Sequence, residues 1–203
     1  LYKLDPNRRV LAMETRSVTS EGRVGSVTQH VDFWGDSLRS VSSGDTTLMR
    51  DDPTSYFVLD NTSPFDDARL ARFLLSRPQH TSKLYPEGSG HADVVADTNV
   101  TVAGAQRHIR LVFVDGLSTS TDAVWIDDAN QLFASGAGWF ITVPRNAAGL
   151  LPTLRDIEKR IRVDRSAALA KRLTPPAPKA LVIRNGDVFD SERGVVRPRT
   201  TIV

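Results

Sequence analysis

Residues 180–203, Ala180-Leu-Val-Ile-Arg-Asn-Gly-Asp-Val-Phe-Asp-Ser-Glu-Arg-Gly-Val-Val-Arg-Pro-Arg-Thr-Thr-Ile-Val203, alternate between strand and turn chemistry. Leu181, Val182 and Ile183 form an apolar run, Asn185-Gly186 supplies a turn, and Val188 and Phe189 resume the strand pattern. Ser191 to Gly194 make a second turn, and Thr200 to Val203 begin another strand. A stretch closing on Thr-Thr-Ile-Val ends inside a strand, so the expectation is of a longer protein whose sheet is completed elsewhere.

Upstream the same grammar recurs. Val10 to Thr19, Val24 to Phe33, Leu38 to Val41, Thr46 to Met49 and Tyr56 to Leu59 read as short strands. They are separated by turn residues at Glu21-Gly22-Arg23, Gly35-Asp36-Ser37, Ser42 to Asp45 and Asp51-Asp52-Pro53. In the second strand Thr28, His30 and Asp32 share one face, and Val27, Gln29, Val31 and Phe33 the other. This spacing predicts an antiparallel meander.

Ser63-Pro64-Phe65-Asp66 then has the chemistry of a helix start: a serine cap, proline at the first helical position and acids in the first turn. Leu70, Phe73 and Leu74 fall on one face of a helix near 64–77, which Pro78 stops. Such a helix between runs of strands is expected to pack on the concave side of a curved sheet and bury Phe73 and Leu74.

Strands return from about Leu84, with Asp93 to Ala96, Thr98 to Val102 and Arg107 to Gly116 in quick succession. In the last of these Ile109, Leu111 and Phe113 point one way; His108, Arg110, Val112 and Val114 point the other. Ala123 to Asp127, Gln131 to Ala134 and Gly138 to Val143 continue the pattern. Phe73, Trp125, Phe133 and Trp139 concentrate aromatic mass, either as core packing or as the lining of a ligand groove.

A second helix is predicted near 150–173, with Leu150, Leu154, Ile157 and Ile161 in phase and a change of phase near Val163. Its other face carries Arg155, Lys159, Arg160, Arg162, Arg165, Lys171 and Arg172, a solvated face or a basic surface for anionic partners. The proline-rich stretch 174–179 reads as a stiff connector and places the domain boundary. The fold class is therefore α+β and mainly β, a curved antiparallel sheet on one or two helices with a C-terminal hairpin.

Composition narrows the function classes. At 203 residues the chain suits one sizeable domain, or one domain plus a fragment. A domain of about 175 residues buries roughly 70% of the surface its unfolded chain exposes, so no disulfide or metal staple is required. The absence of cysteine excludes disulfide frameworks, zinc ribbons and thiol catalysis. A net charge of +2 and a sequence pI near 9.2, without a polycationic block, do not argue for nucleic acid. No apolar run approaches the roughly 20 residues that span a bilayer. Contact with a membrane surface is not expected, and a leader ahead of Leu1 is left open.

In its order of strand, Asn185-Gly186, Val188-Phe189-Asp190, glycine turn and Thr201-Ile202-Val203, the closing stretch resembles the opening of a metal-dependent amidohydrolase. In that superfamily such a segment starts the small β-sandwich beside the catalytic (β/α)8 barrel. A second stretch runs Arg107-His-Ile-Arg-Leu-Val-Phe-Val-Asp-Gly-Leu117, Ala123-Val-Trp-Ile-Asp127 and Gln131-Leu-Phe-Ala134, followed by a helix. It is similar to the β-rich segment that precedes the amidohydrolase portion in some secreted bacterial proteins. Segments of that kind resemble the periplasmic lipoprotein carriers, whose curved sheet wraps a helix. Ser118-Thr-Ser-Thr-Asp122 departs from that pattern, where a Trp-Gly-Arg-Glu-like stretch is expected.

The resemblance implies an accessory domain over residues 1–173, a linker at 174–179 and the start of the sandwich at 180–203. It implies a periplasmic or secreted protein whose partner is the remainder of the amidohydrolase chain, with a homo-oligomer as a further option. The parent would hydrolyse C–N or related bonds with a divalent metal held in its catalytic portion. The rival expectation is a carrier holding a lipid or other apolar ligand between sheet and helix.

An active site is not legible in these 203 residues. Two imidazoles on one strand face must be two residues apart to share an ion, and no two of His30, His80, His91 and His108 are so spaced. His91-Ala-Asp93 places an imidazole and a carboxylate on one face, a pairing common in structural strands. Gly88-Ser-Gly90 is not followed by a helix start that would receive a phosphate. Asp51-Asp52, Asp66-Asp67 and Asp127-Asp128 read as turn or helix-start pairs. No catalytic, cofactor-binding or metal-ligating residue is expected, and whether the chain is an enzyme is left open.

Overall fold

The computed structural model describes residues 2–4, 10–18, 24–34, 36–42, 44–52, 54–58, 63–136, 141–174 and 180–203. The chain is mainly β, with a curled sheet packed against a helix and a C-terminal hairpin. Its first strands are β1 (Tyr2–Leu4), β2 (Val10–Val18), β3 (Val24–Trp34), β4 (Ser37–Ser42) and β5 (Asp45–Arg50). Each pairs antiparallel with the next, giving a five-stranded meander in sequence order. Gly44 turns β4 into β5 with a φ of 91°, a left-handed conformation that glycine adopts without a Cβ penalty.

A second sheet has the order β11-β10-β9-β8-β7-β6. Its strands are β6 (Tyr56–Phe57), β7 (Thr81–Tyr85), β8 (Ser89–Val102), β9 (Ala105–Asp115), β10 (Asp122–Asp127) and β11 (Leu132–Ser135). All neighbours run antiparallel except β6 and β7, which are parallel and are connected through helix α1 (Pro64–Leu75). Ala103 and Gly104, with φ of 49° and 81°, form the two-residue turn between β8 and β9. Positive φ at both central positions matches the right-handed twist of the strands that such a turn joins.

The spacing of Asp93 to Ala96 and Thr98 to Val102 predicts two strands; the structure has the single strand β8. A bulge between Val94 and Ala96 inserts one residue and reverses the alternation midway, so one strand reads as two. The strand expected over Gly138 to Val143 falls in part outside the described residues. Thr142 makes one bridge to Ser135.

Helix α1 begins as its sequence predicts. The Asp66 carboxylate accepts hydrogen bonds from the Ser63 backbone N–H and hydroxyl, both at 2.8 Å, and Pro64 opens the first turn. Its apolar face buries Ala68, Leu70, Ala71, Phe73 and Leu74. These pack with Val112, Val114, Val124 and Ile126 of the six-stranded sheet and with Met13, Val31 and Leu38 of the meander. Phe73, fully buried, meets Tyr56 at a ring separation of 4.8 Å and lies beneath the Arg77 guanidinium at 4.2 Å. The two sheets thus share one core around α1.

The other face of the six-stranded sheet is buried as well. Ile109, Leu111, Phe113, Ala123 and Trp125 alternate with the residues that face α1, and all are buried. A 3-10 helix (Arg145–Leu150) leads into α2 (Leu151–Leu173). Leu154 is buried, and one turn later Glu158 accepts a 2.8 Å hydrogen bond from the Trp125 indole N–H. The first half of α2 therefore satisfies the one polar atom of a fully buried tryptophan.

The chain divides into two compact units, 1–159 and 160–203, with the division inside α2. The connector read over 174–179 lies outside the described residues except for Thr174. In the second unit β12 (Ile183–Asp190) and β13 (Val195–Ile202) form an antiparallel hairpin, paired only with each other among the described residues. Asp190 closes its turn by accepting from the Glu192 and Arg193 backbone N–H groups and from the Arg197 side chain. In α2, Val163, Leu169 and Leu173 are exposed.

Candidate functional site

Phe73 and Trp125, two of the aromatic residues of the expected groove, lie in different surroundings. Phe73 belongs to the core around α1, whereas Trp125 points to the opposite face of the same sheet, where Glu158 meets it. Phe133 is buried beside the β10–β11 bulge, and Trp139 lies outside the described residues. The α1–sheet interface is filled, since Ala71, Phe73 and Leu74 each have no accessible surface.

Three of the four histidines pair with aspartates. His30 meets Asp32 at 3.1 Å on the outer face of the meander, and Arg39 grips the same carboxylate at 2.8 and 2.6 Å. The Arg39 guanidinium holds the Asp32 carboxyl below its ordinary range. His91 lies between Asp93 and Thr81, each at 3.0 Å. A hydroxyl, imidazole and carboxylate in series is the layout of an activated nucleophile. Here, however, the Gln79 carbonyl, 3.1 Å from the Thr81 hydroxyl, competes with the ring for its one proton.

His108 is held by Asp128 at Nδ1 and Asp97 at Nε2. Both hydrogen bonds favour the imidazolium, so the ring titrates above its usual value. The arrangement clips β8, β9 and the turn after β10 together. Among the described residues no group of three or more histidine, cysteine or acidic side chains could hold a metal ion.

One acid stands apart. Asp67, on the first turns of α1, is half buried, and burial, with the charges of Asp122 and Asp66, pushes its carboxyl up to about 6. The Ser135 hydroxyl, 3.4 Å away, opposes this shift.

The inner face of the meander carries a pocket of about 290 Å³. Register explains its chemistry. The rung Phe33–Leu38–Met49 is apolar and adjoins the core. In the next rung Val31 stands beside Ser40 and Thr47, and in the last Gln29, Ser42 and Asp45 are all polar. Gln29 is 5% exposed and Ser40 8%, yet both border the pocket. Phe57 and Pro86 wall the other side. In the sequence Gln29 alternates in phase with Val27, Val31 and Phe33, and a glutamine among apolar neighbours is the signal for this site.

On the hairpin, Phe189 is 64% exposed and Val196 58%, and Ile183, Val195 and Ile202 are exposed as well. No family model, curated protein or solved structure matches the chain.

Proposed function

We propose that residues 1–173 are a non-catalytic accessory module of a metal-dependent amidohydrolase, acting in the periplasm or outside the cell. In this reading the hairpin opens the small β-sandwich of the catalytic portion. The observation that carries it is the hairpin itself, with apolar side chains of both strands in water and both outer backbone edges unpaired among the described residues. An isolated two-stranded hairpin is at best marginally stable, and an apolar one is completed by further strands. The filled α1–sheet interface favours an accessory module over a carrier of apolar ligands, because an acyl chain there would have to displace Phe73 and Leu74. The metal and the hydrolytic step belong to the catalytic portion, and none of the described residues is assigned a part in them.

The test begins with the genomic reading frame 3′ of the Val203 codon. A continuation bearing His-x-His on the first barrel strand is expected. Expressed with that continuation, the chain should show slower hydrogen exchange at the β12 and β13 amides. A frame without metal ligands, or exchange as fast as in the 203-residue chain, would overturn the reading.

A further inference from the structure

We propose that the pocket on the inner face of β3, β4 and β5 binds a single neutral sugar ring. This does not rest on the amidohydrolase reading and would hold for any parent protein. Its volume, about 290 Å³, lies at the lower edge of the roughly 300–1,000 Å³ typical of small-molecule sites, which suits one ring better than a chain.

The donor and acceptor inventory narrows the class. Asp45 only accepts, so a ligand facing it must donate, and a carboxylate suits two adjacent hydroxyls. Ser40 and Thr47 both donate and accept, and neither hydroxyl is engaged by another described side chain. Gln29 lines the buried end of the pocket. Among the described lining residues none is cationic, and Asp45 repels anions, so phosphates and carboxylates are poor ligands. Met49, Phe57 and Pro86 give the other wall an apolar surface, as the C–H face of a pyranose requires. A sheet face that continues a hydrophobic core usually continues it with apolar residues. Here three adjacent strands change to hydroxyl, amide and carboxylate in register, and a cavity remains above them.

The experiment titrates the isotope-labelled 203-residue chain with methyl glycosides of glucose, galactose and mannose and with N-acetylglucosamine, following backbone amide shifts. Putrescine is the control for a cation site. At least one sugar should give saturable shifts confined to β3, β4, β5 and the Phe57 and Pro86 segments. Asp45→Ala should weaken that binding at least about tenfold, the low end for hydrogen bonds to a charged acceptor. Asp45 is exposed beside a turn, so this variant should keep the parent spectrum elsewhere. Thr47→Val, nearly isosteric, should weaken binding by a smaller factor. The proposal is overturned if no sugar of the panel shifts these amides, if Asp45→Ala binds unchanged, or if putrescine alone binds.

Discussion

Two ionisable side chains in the first unit lose their contribution to the fold as pH rises, for different physical reasons: burial at Asp67 and carboxylate partners at His108. Asp67 has its carboxyl raised from 3.8 to about 6, so the folded chain binds a proton that the unfolded chain has released. The stability this provides is complete below pH 3.8 and is lost as pH rises through about 6. Asp67→Asn should therefore gain on the parent chain across that window and keep its advantage at neutral pH, measured by urea denaturation at a series of pH values. His108 is raised by Asp128 and Asp97, so its contribution is present below 6.5 and disappears as pH climbs through the elevated value. For His108→Gln the deficit should be largest on the acid side and vanish in alkali. Neither effect was legible in the sequence. Asp67 looked like an ordinary first-turn acid, and its environment comes from Asp122 and Ser135, both distant in the chain.

Among the elements, α1 was the most legible, because everything that fixes it is local: the Ser63 cap, Pro64, and a Leu70–Phe73–Leu74 stripe. Replacing Phe73 by alanine should cost about 3–5 kcal/mol, the usual range for deleting a fully buried phenylalanine, and should show as a lower denaturation midpoint with unchanged slope. Phe73→Asp should leave the first unit unfolded, since an unpaired carboxylate cannot be accommodated there. A folded Phe73→Asp chain would contradict the packing described for α1. Strand limits were harder to read wherever geometry departs from strict alternation, as at the β8 bulge. The pocket was harder still. Gln29, Ser42 and Asp45 meet because β3, β4 and β5 pair in one particular register, which no single segment encodes. Phe73 and Trp125 illustrate the same limit: each position shows which residues are apolar, but that Phe73 packs in the core around α1 while Trp125 meets Glu158 is set by tertiary structure.

For the whole molecule, the exposed hairpin is the dominant liability in solution. Edges and apolar side chains presented together invite pairing with another copy. The 203-residue chain should self-associate with rising concentration in sedimentation experiments, and the double variant Phe189→Lys, Val196→Lys should remain monomeric with an unchanged unfolding transition for residues 1–159. Self-association that persists in the double variant would move the sticky surface elsewhere. A different constraint follows from the parallel pair β6–β7. Strands that run the same way cannot be zipped from a tight turn; the chain between them must first travel back, and here α1 makes that journey. Tyr85 also donates to the Arg50 carbonyl and Ser82 to that of Thr54, so the same closure stitches the meander's exit to the second sheet. The expected order of assembly follows from loop length: the local hairpins close short loops and form first, while the union of the two sheets closes a longer one through the helix.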